Sequence, residues 1–121
     1  MMNVEDIRMY CLSKKQVTEG FPFDNETLVF KVKNKMFALL NLEGELRVNL
    51  KCDPEEALLL REKYPAVLPG YHMNKKLWNT VVVDVSITDE LLKRWIDDSY
   101  NLIVQNLPAK DRKELPGDVT A

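Results

Sequence analysis

The sequence predicts an α+β domain, an antiparallel sheet with helices packed on one of its faces, and three observations carry that expectation. The hydrophobic period is helical up to Ser13, changes to two from Thr27, and becomes helical again after Asp53. Two turn signals, Lys33-Asn34-Lys35 and Glu43-Gly44-Glu45, join three strand-like runs into a meander, which makes neighbouring strands antiparallel. The last long helical segment carries an apolar stripe wide enough to cover a sheet.

Each element has its own local reason. Asn3 is a plausible N-cap with Asp6 placed to reach back, and Val4, Ile7 and Cys11 keep helical spacing, so a first helix is expected over 4–13. Lys14 to Glu26, with Gly20 and Phe21-Pro22-Phe23, reads as an irregular loop whose phenylalanines plug the core. Leu28, Phe30 and Val32 then alternate with Val29 and Lys31, and Met36 to Leu42 is nearly all apolar. In the third strand Leu46, Val48 and Leu50 point one way and Arg47, Asn49 and Lys51 the other. Asp53-Pro54-Glu55-Glu56 combines an N-cap, proline at the first helical position and acids that complement the dipole, and this second helix stops before Tyr64-Pro65. Trp78 to Val85 is rich in β-branched residues and reads as a further strand. Thr88 caps the last helix, whose stripe includes Leu91, Leu92, Trp95, Ile96, Ser99 and Ile103. Beyond Pro108 the polar stretch Lys110 to Ala121 is expected to fray. One domain over 1–115 with a frayed tail over 116–121 is the expected organisation.

Composition narrows the function classes. At 121 residues the chain is long enough to bury a core without metals or disulfides, and 45% hydrophobic with 30% charged residues describes an ordinary globular protein. No apolar run approaches the roughly 20 residues that span a bilayer, and the acidic start Met1-Met2-Asn3-Val4-Glu5-Asp6 is unlike a signal peptide, which together predict a cytoplasmic protein with no membrane partner. Cys11 and Cys52 are far apart among apolar neighbours and read as reduced thiols. The net charge of −2 argues against an obligate nucleic-acid binder. Its distribution softens that argument. From Thr27 to Cys52 five bases, Lys31, Lys33, Lys35, Arg47 and Lys51, face two acids, Glu43 and Glu45, a net of +3. The compensating acids fall in the expected helices, so strands and helices in opposite layers would give a basic face and an acidic face.

The densest chemistry lies in Pro69-Gly70-Tyr71-His72-Met73-Asn74-Lys75-Lys76-Leu77-Trp78-Asn79-Thr80. Pro-Gly makes a turn, while Tyr, His, Trp and Asn offer stacking planes and hydrogen-bonding edges. Two accounts compete. In the first the loop recognises something polar, planar or anionic. In the second Tyr71 and Trp78 close the core, Asn74 caps a helical turn and the lysines are solvated; read from the residues alone, the balance lies slightly with this second account. His72 is the only imidazole, no serine nucleophile motif is present, and no residue spacing suits a metal site, a phosphate loop or a dinucleotide fingerprint, so neither catalytic residues, metal nor cofactor is expected. Lys31, Arg47, Asn49 and Lys51 on strands would track phosphates, with Tyr71, His72 and Trp78 stacking on bases.

The chain resembles the MmcQ/YjbR family. The resemblance rests on Phe21-Pro22-Phe23, Lys35-Met36-Phe37-Ala38, Asn49-Leu50-Lys51-Cys52 and above all Pro69 to Val81, with Ser99-Tyr100 and Leu107-Pro108 fitting as well. It runs from the first helix to about Leu115. It departs from the family at Leu77, where many relatives carry a histidine before the tryptophan, and at Val85, where many carry glycine after the aspartate. The resemblance implies an α+β domain of bacterial frataxin (CyaY-like, double-wing) architecture. Iron binding does not carry over, because the first helix offers only Glu5 and Asp6 where an acidic ridge is needed. Family members are commonly described as DNA-binding, which implies weak, non-specific duplex DNA contacts through Lys31, Arg47, Asn49, Lys51, Tyr71, His72, Asn74, Lys75, Lys76, Trp78 and Asn79. The alternative is a small-ligand or protein-interaction module that uses the same loop as a pocket.

Overall fold

In the computed structural model, which describes residues 1–115, the first helix α1 (Val4–Leu12) opens with a reciprocal cap. Asp6 N–H donates to Asn3 Oδ1 at 2.8 Å and Asn3 N–H donates to Asp6 Oδ2 at 3.0 Å. The segment expected to be an irregular loop contains instead a short edge strand, β1 (Val17–Gly20). Four residues are too few to display a period, and it is pairing with the next strand that makes them extended. That strand is β2 (Thr27–Val32), joined to β3 (Lys35–Asn41) by a two-residue turn in which Lys33 and Asn34 both take positive φ, 50° and 65°. Such a turn matches the twist of a hairpin. Gly44, at φ 72°, turns the chain into β4 (Arg47–Lys51).

Helix α2 (Pro54–Lys63) starts as expected, with Asp53 Oδ2 accepting from the Glu55 and Glu56 amides. A second short edge strand, β5 (Val67–Pro69), was again not visible as a period. Strand β6 (Trp78–Val82) ends three residues earlier than the run of β-branched residues suggested, and Val85 stands almost fully exposed. Helix α3 (Asp89–Gln105) is capped by Thr88, whose hydroxyl accepts from Leu91 N–H. The expected fraying from Lys110 onward is corrected within the described part. A one-turn helix α4 (Ala109–Lys113) brings Leu115 to 1% exposure in the core, and Lys33 pairs with Glu114. Residues 116–121, expected to fray, lie outside the described residues.

All strand pairs are antiparallel, in the order β1-β2-β3-β4-β6-β5. The helices pack on one face, α3 across β3 and β4, α1 against β1 and α2 against β5 and β6. The register follows the expected alternation: Leu28, Phe30, Val32, Val48 and Leu50 are buried against the helices, and Leu46 is half-buried at the rim. Phe37 meets Tyr100 edge to face, with ring centres 5.3 Å apart. Ser99, fully buried, lets α3 approach the sheet closely because its hydroxyl accepts from Lys51 N–H and donates to the Phe37 carbonyl. Tyr10 and Lys14 both bond Asp97, tying α1 to α3.

Among the described residues no helix covers the other face. There the register aligns Val29, Leu39, Asn49, Thr80 and Leu68 in one row across five strands, and Thr27, Asn41, Arg47 and Val82 in the next. A small apolar cluster of Val29, Leu39 and Trp78, with Met36, Met73 and Leu77 against it, holds the 70–77 loop to this face.

Candidate functional site

The loop is fastened before it can bind anything. Gly70 N–H donates to the Trp78 carbonyl at 2.9 Å, and a Cβ at Gly70 would lie 2.8 Å from that same oxygen and from Trp78 Cβ, so only glycine permits the approach. Tyr71 N–H donates to Thr80 Oγ1 at 2.8 Å, and the Asn49 amide donates to the Tyr71 carbonyl at 3.4 Å. Thr80 in turn donates to Asn49 Oδ1. Two neighbouring polar side chains of the sheet row therefore fix the backbone at Tyr71. His72 follows in the left-handed region, φ 59°, and its ring lies against that of Tyr71 with centres 4.1 Å apart.

This geometry leaves a pocket of about 450 Å³ between the loop and the sheet. Its floor is the sheet residues Thr27, Leu39, Asn41, Asn49 and Thr80, with Tyr71, His72 and Met73 of one loop and Phe23 and Asp24 of another rising around it. Arg47 also lines it, its guanidinium carbon 5.6 Å from the centre of the Tyr71 ring. Its guanidinium makes no ion pair and donates no hydrogen bond among the described residues. Asp24 caps its own loop, its Oδ1 accepting from Glu26 N–H at 2.9 Å and Thr27 N–H at 2.7 Å. Those two amides hold its carboxyl below the usual range, so it is ionised at neutral pH.

Of the residues singled out in the sequence, the pocket brings together Arg47, Asn49, Tyr71 and His72. Lys31 and Lys51 share the open face but stand toward its other end; Lys51 lies four positions along β4 from Arg47, about 13 Å. Asn74 serves the loop itself, its Oδ1 accepting from Lys76 N–H at 2.9 Å, and the Lys75 ammonium donates to the Gly70 carbonyl at 3.1 Å. Lys76 is exposed outside the pocket. Trp78 is buried in the small cluster beneath the loop, as the second of the two accounts has it, whereas Tyr71, which that account also placed in the core, is 58% exposed. Asn79 belongs to the opposite face. It is 3% exposed, its Oδ1 accepts from Arg61 Nε at 2.7 Å and its amide donates to the Ala57 carbonyl at 3.3 Å. The phenylalanines expected to plug the core also stand out, Phe21 at 49% and Phe23 at 64% exposure. The sequence reading missed Phe23, Asp24, Thr27, Asn41 and Thr80. Thr80 and Asn41 were accessible in principle, since they share the strand alternation of Asn49 and Arg47.

Elsewhere, a groove of about 540 Å³ between α2 and α3 takes in Leu59, Tyr64, Arg94 and Trp95, and none of the sequence-predicted residues. Burial pushes the thiols up, Cys11 to about 12 and Cys52 to about 11, and both are free. Among the described residues no group of three or more His, Cys, Asp or Glu side chains could hold a metal ion, and no helix is long and apolar enough to cross a membrane.

The YjbR family model matches residues 12–102, from the end of α1 through most of α3. The chain belongs to the YjbR family. It is 34% identical over 115 residues to the Escherichia coli K12 protein YjbR, covering 94% of this chain and 98% of that one. It is 44% identical over 99 residues to the Escherichia coli O157:H7 protein YbdF, covering 80% and 81%. Both relatives carry the description uncharacterized. The crystal structure of the Deinococcus radiodurans protein DR2400 superposes with a TM-score of 0.89 at 43% identity, over 95% of this chain and 88% of that one. A Pseudomonas syringae protein superposes with a TM-score of 0.74 at 28% identity, over 84% and 98%. The YjbR-type α+β fold read from the sequence is thus the fold of this chain.

Proposed function

We propose that this YjbR-family domain is a non-catalytic binding module of the cytoplasm, and that its site is the pocket on the open sheet face. The observation that carries the proposal is Arg47. A part-exposed guanidinium stacked on Tyr71, with its donors unused among the described residues, is prepared for an oxyanion. The aromatic rings of Tyr71, His72 and Phe23 around it favour a flat, partly apolar ligand, and a volume near 450 Å³ suits a small molecule. A ligand that binds the folded chain alone raises its stability by about 2.7 kcal/mol at a hundredfold excess over Kd, several degrees in Tm. Thermal melting against a panel of planar carboxylates and phosphates, run on the parent and on Arg47→Ala, tests the reading. At least one compound should raise Tm in the parent and not in the variant; a panel with no Arg47-dependent shift refutes it.

A second reading, duplex DNA, draws on the open face as a whole. Its strand residues include Lys31, Arg47 and Lys51 and no acid. On this reading the dissociation constant is on the order of 10⁻⁴ to 10⁻⁶ M at physiological salt, with little sequence preference. Lys31→Ala/Lys51→Ala would flatten the salt dependence by about two units while leaving pocket ligands untouched. An affinity for duplex DNA that is constant from low to moderate salt excludes phosphate contacts.

A further inference from the structure

The pocket is polar in two senses at once, and that narrows the ligand. Arg47 at one end supplies hydrogen-bond donors and positive charge. At the other end, Asp24 supplies a carboxylate whose Oδ2 has, among the described residues, a single weak contact, from Thr27 Oγ1 at 3.4 Å. Between them the Asn41 amide donates to the Glu43 and Glu45 carbonyls, at 2.6 and 3.0 Å, which fixes the amide's orientation and leaves the oxygen of this pocket-lining side chain as an acceptor. Thr27, Asn41 and Arg47 lie opposite one another on three neighbouring strands, so Thr27 and Arg47 are about 10 Å apart. Rings line the pocket beside this axis, Phe23 from the loop before β2 and the Tyr71–His72 pair from the loop before β6.

We infer, on the basis of the pocket reading above, that the ligand is a nucleoside monophosphate whose base carries an exocyclic amine. The phosphate pairs with Arg47, the base lies between Phe23 and the Tyr71–His72 pair, and the amine edge donates to Asn41 Oδ1 and the Asp24 carboxylate. Each part of the site then meets its chemical complement: oxyanion to guanidinium, flat ring to ring, N–H donors to acceptors. A simple aromatic acid would leave the acceptor end unmatched, and inorganic phosphate would leave the rings unused. A zwitterion with adjacent charges is too short to reach both ends.

Calorimetric titration of the full chain with AMP, UMP, adenosine and ribose 5-phosphate tests this. AMP should bind at least about tenfold more tightly than either adenosine or ribose 5-phosphate, because each lacks one end of the recognition, and UMP, without an amine, should be weaker than AMP. Arg47→Gln should lower AMP affinity by about 10- to 100-fold, the loss expected when one hydrogen-bonded charge partner is removed. Phe23→Ala should lower it by about tenfold through lost stacking. Asp24→Asn should narrow the gap between AMP and UMP, an effect that a merely structural role for Asp24 would not produce. Both Phe23 and Arg47 lie at the surface, and melting curves report whether each variant is folded. If AMP binds no better than ribose 5-phosphate, the nucleotide assignment is overturned. The pocket reading stands in that case if planar carboxylates still stabilise the parent in an Arg47-dependent way, and both fall if no planar anion binds.

Discussion

At the scale of single residues, the alternation of Arg47, Asn49 and Lys51 against Val48 and Leu50 was legible in the sequence because period two has only one reading once one face is apolar. The assignment of Trp78, Asn79 and Thr80 was not. Three polar or aromatic residues in a row give no sign of which face each takes, and pairing with β4 decides it, placing Trp78 and Thr80 on the open side and Asn79 under α2. Gly70 illustrates a constraint that only contact reveals. A methyl group there would press on the Trp78 carbonyl and Cβ, so Gly70→Ala should destabilise by about 1–3 kcal/mol, the range for overpacking, measured by urea unfolding; a change below 0.5 kcal/mol would mean the loop shifts freely. The cysteines give a pH prediction. Their folded-state values, about 12 and 11, lie above the ordinary thiol value, so the folded chain holds these protons more tightly than the unfolded chain does. Their contribution to stability is complete below pH ~8.5 and is lost as pH rises toward 11–12. In native protein at pH 8 alkylation by iodoacetamide should be slow, with half-buried Cys52 reacting before buried Cys11; the reverse order would contradict the burial assigned to them.

At the scale of elements, helices with caps were readable to within a residue or two, since Asn3, Asp53 and Thr88 act locally through their own side chains. The edge strands β1 and β5 were not, because three or four residues become strands only when a neighbour pairs with them. The loop depends on α2 in a way no local signal announces. Arg61 bonds the Asn79 side chain and also the carbonyls of Lys75 and Trp78, so the helix on the covered side steadies the loop on the open side. Arg61→Ala leaves the buried Asn79 oxygen without its donor and should cost about 1–3 kcal/mol, measured by chemical denaturation. It should also weaken any pocket ligand although Arg61 does not touch the pocket, and an unchanged affinity would mean the loop holds its shape without the helix. Just after α4, Leu115→Ala should cost about 2–5 kcal/mol as for a buried leucine, whereas a frayed segment would lose almost nothing.

At the scale of the whole molecule, the sheet has one face buried under three helices and, among the described residues, one left open, and the proposed site lies on the open one. The covered face takes the buried Ser99, Phe37 and Tyr100 contacts that hold the fold; the open face takes Arg47, which makes no ion pair among the described residues, the exposed Phe23 and Tyr71 and the acceptors Asn41 and Asp24. The sequence showed that one face would be polar and basic, but not that two loops would line one pocket on it, since Phe23 and Tyr71 are 48 residues apart and come to the same pocket only through the fold. The central claim is that this open-face pocket is where the protein binds. The most direct measurement is backbone amide chemical-shift mapping of the full chain during titration with AMP. Saturable shifts should concentrate at Asp24 to Thr27, Leu39 to Asn41, Arg47 to Asn49 and Tyr71 to Met73, with α2 and α3 unmoved. Shifts clustered instead along the α2–α3 groove, at Leu59, Tyr64 and Arg94, would contradict it.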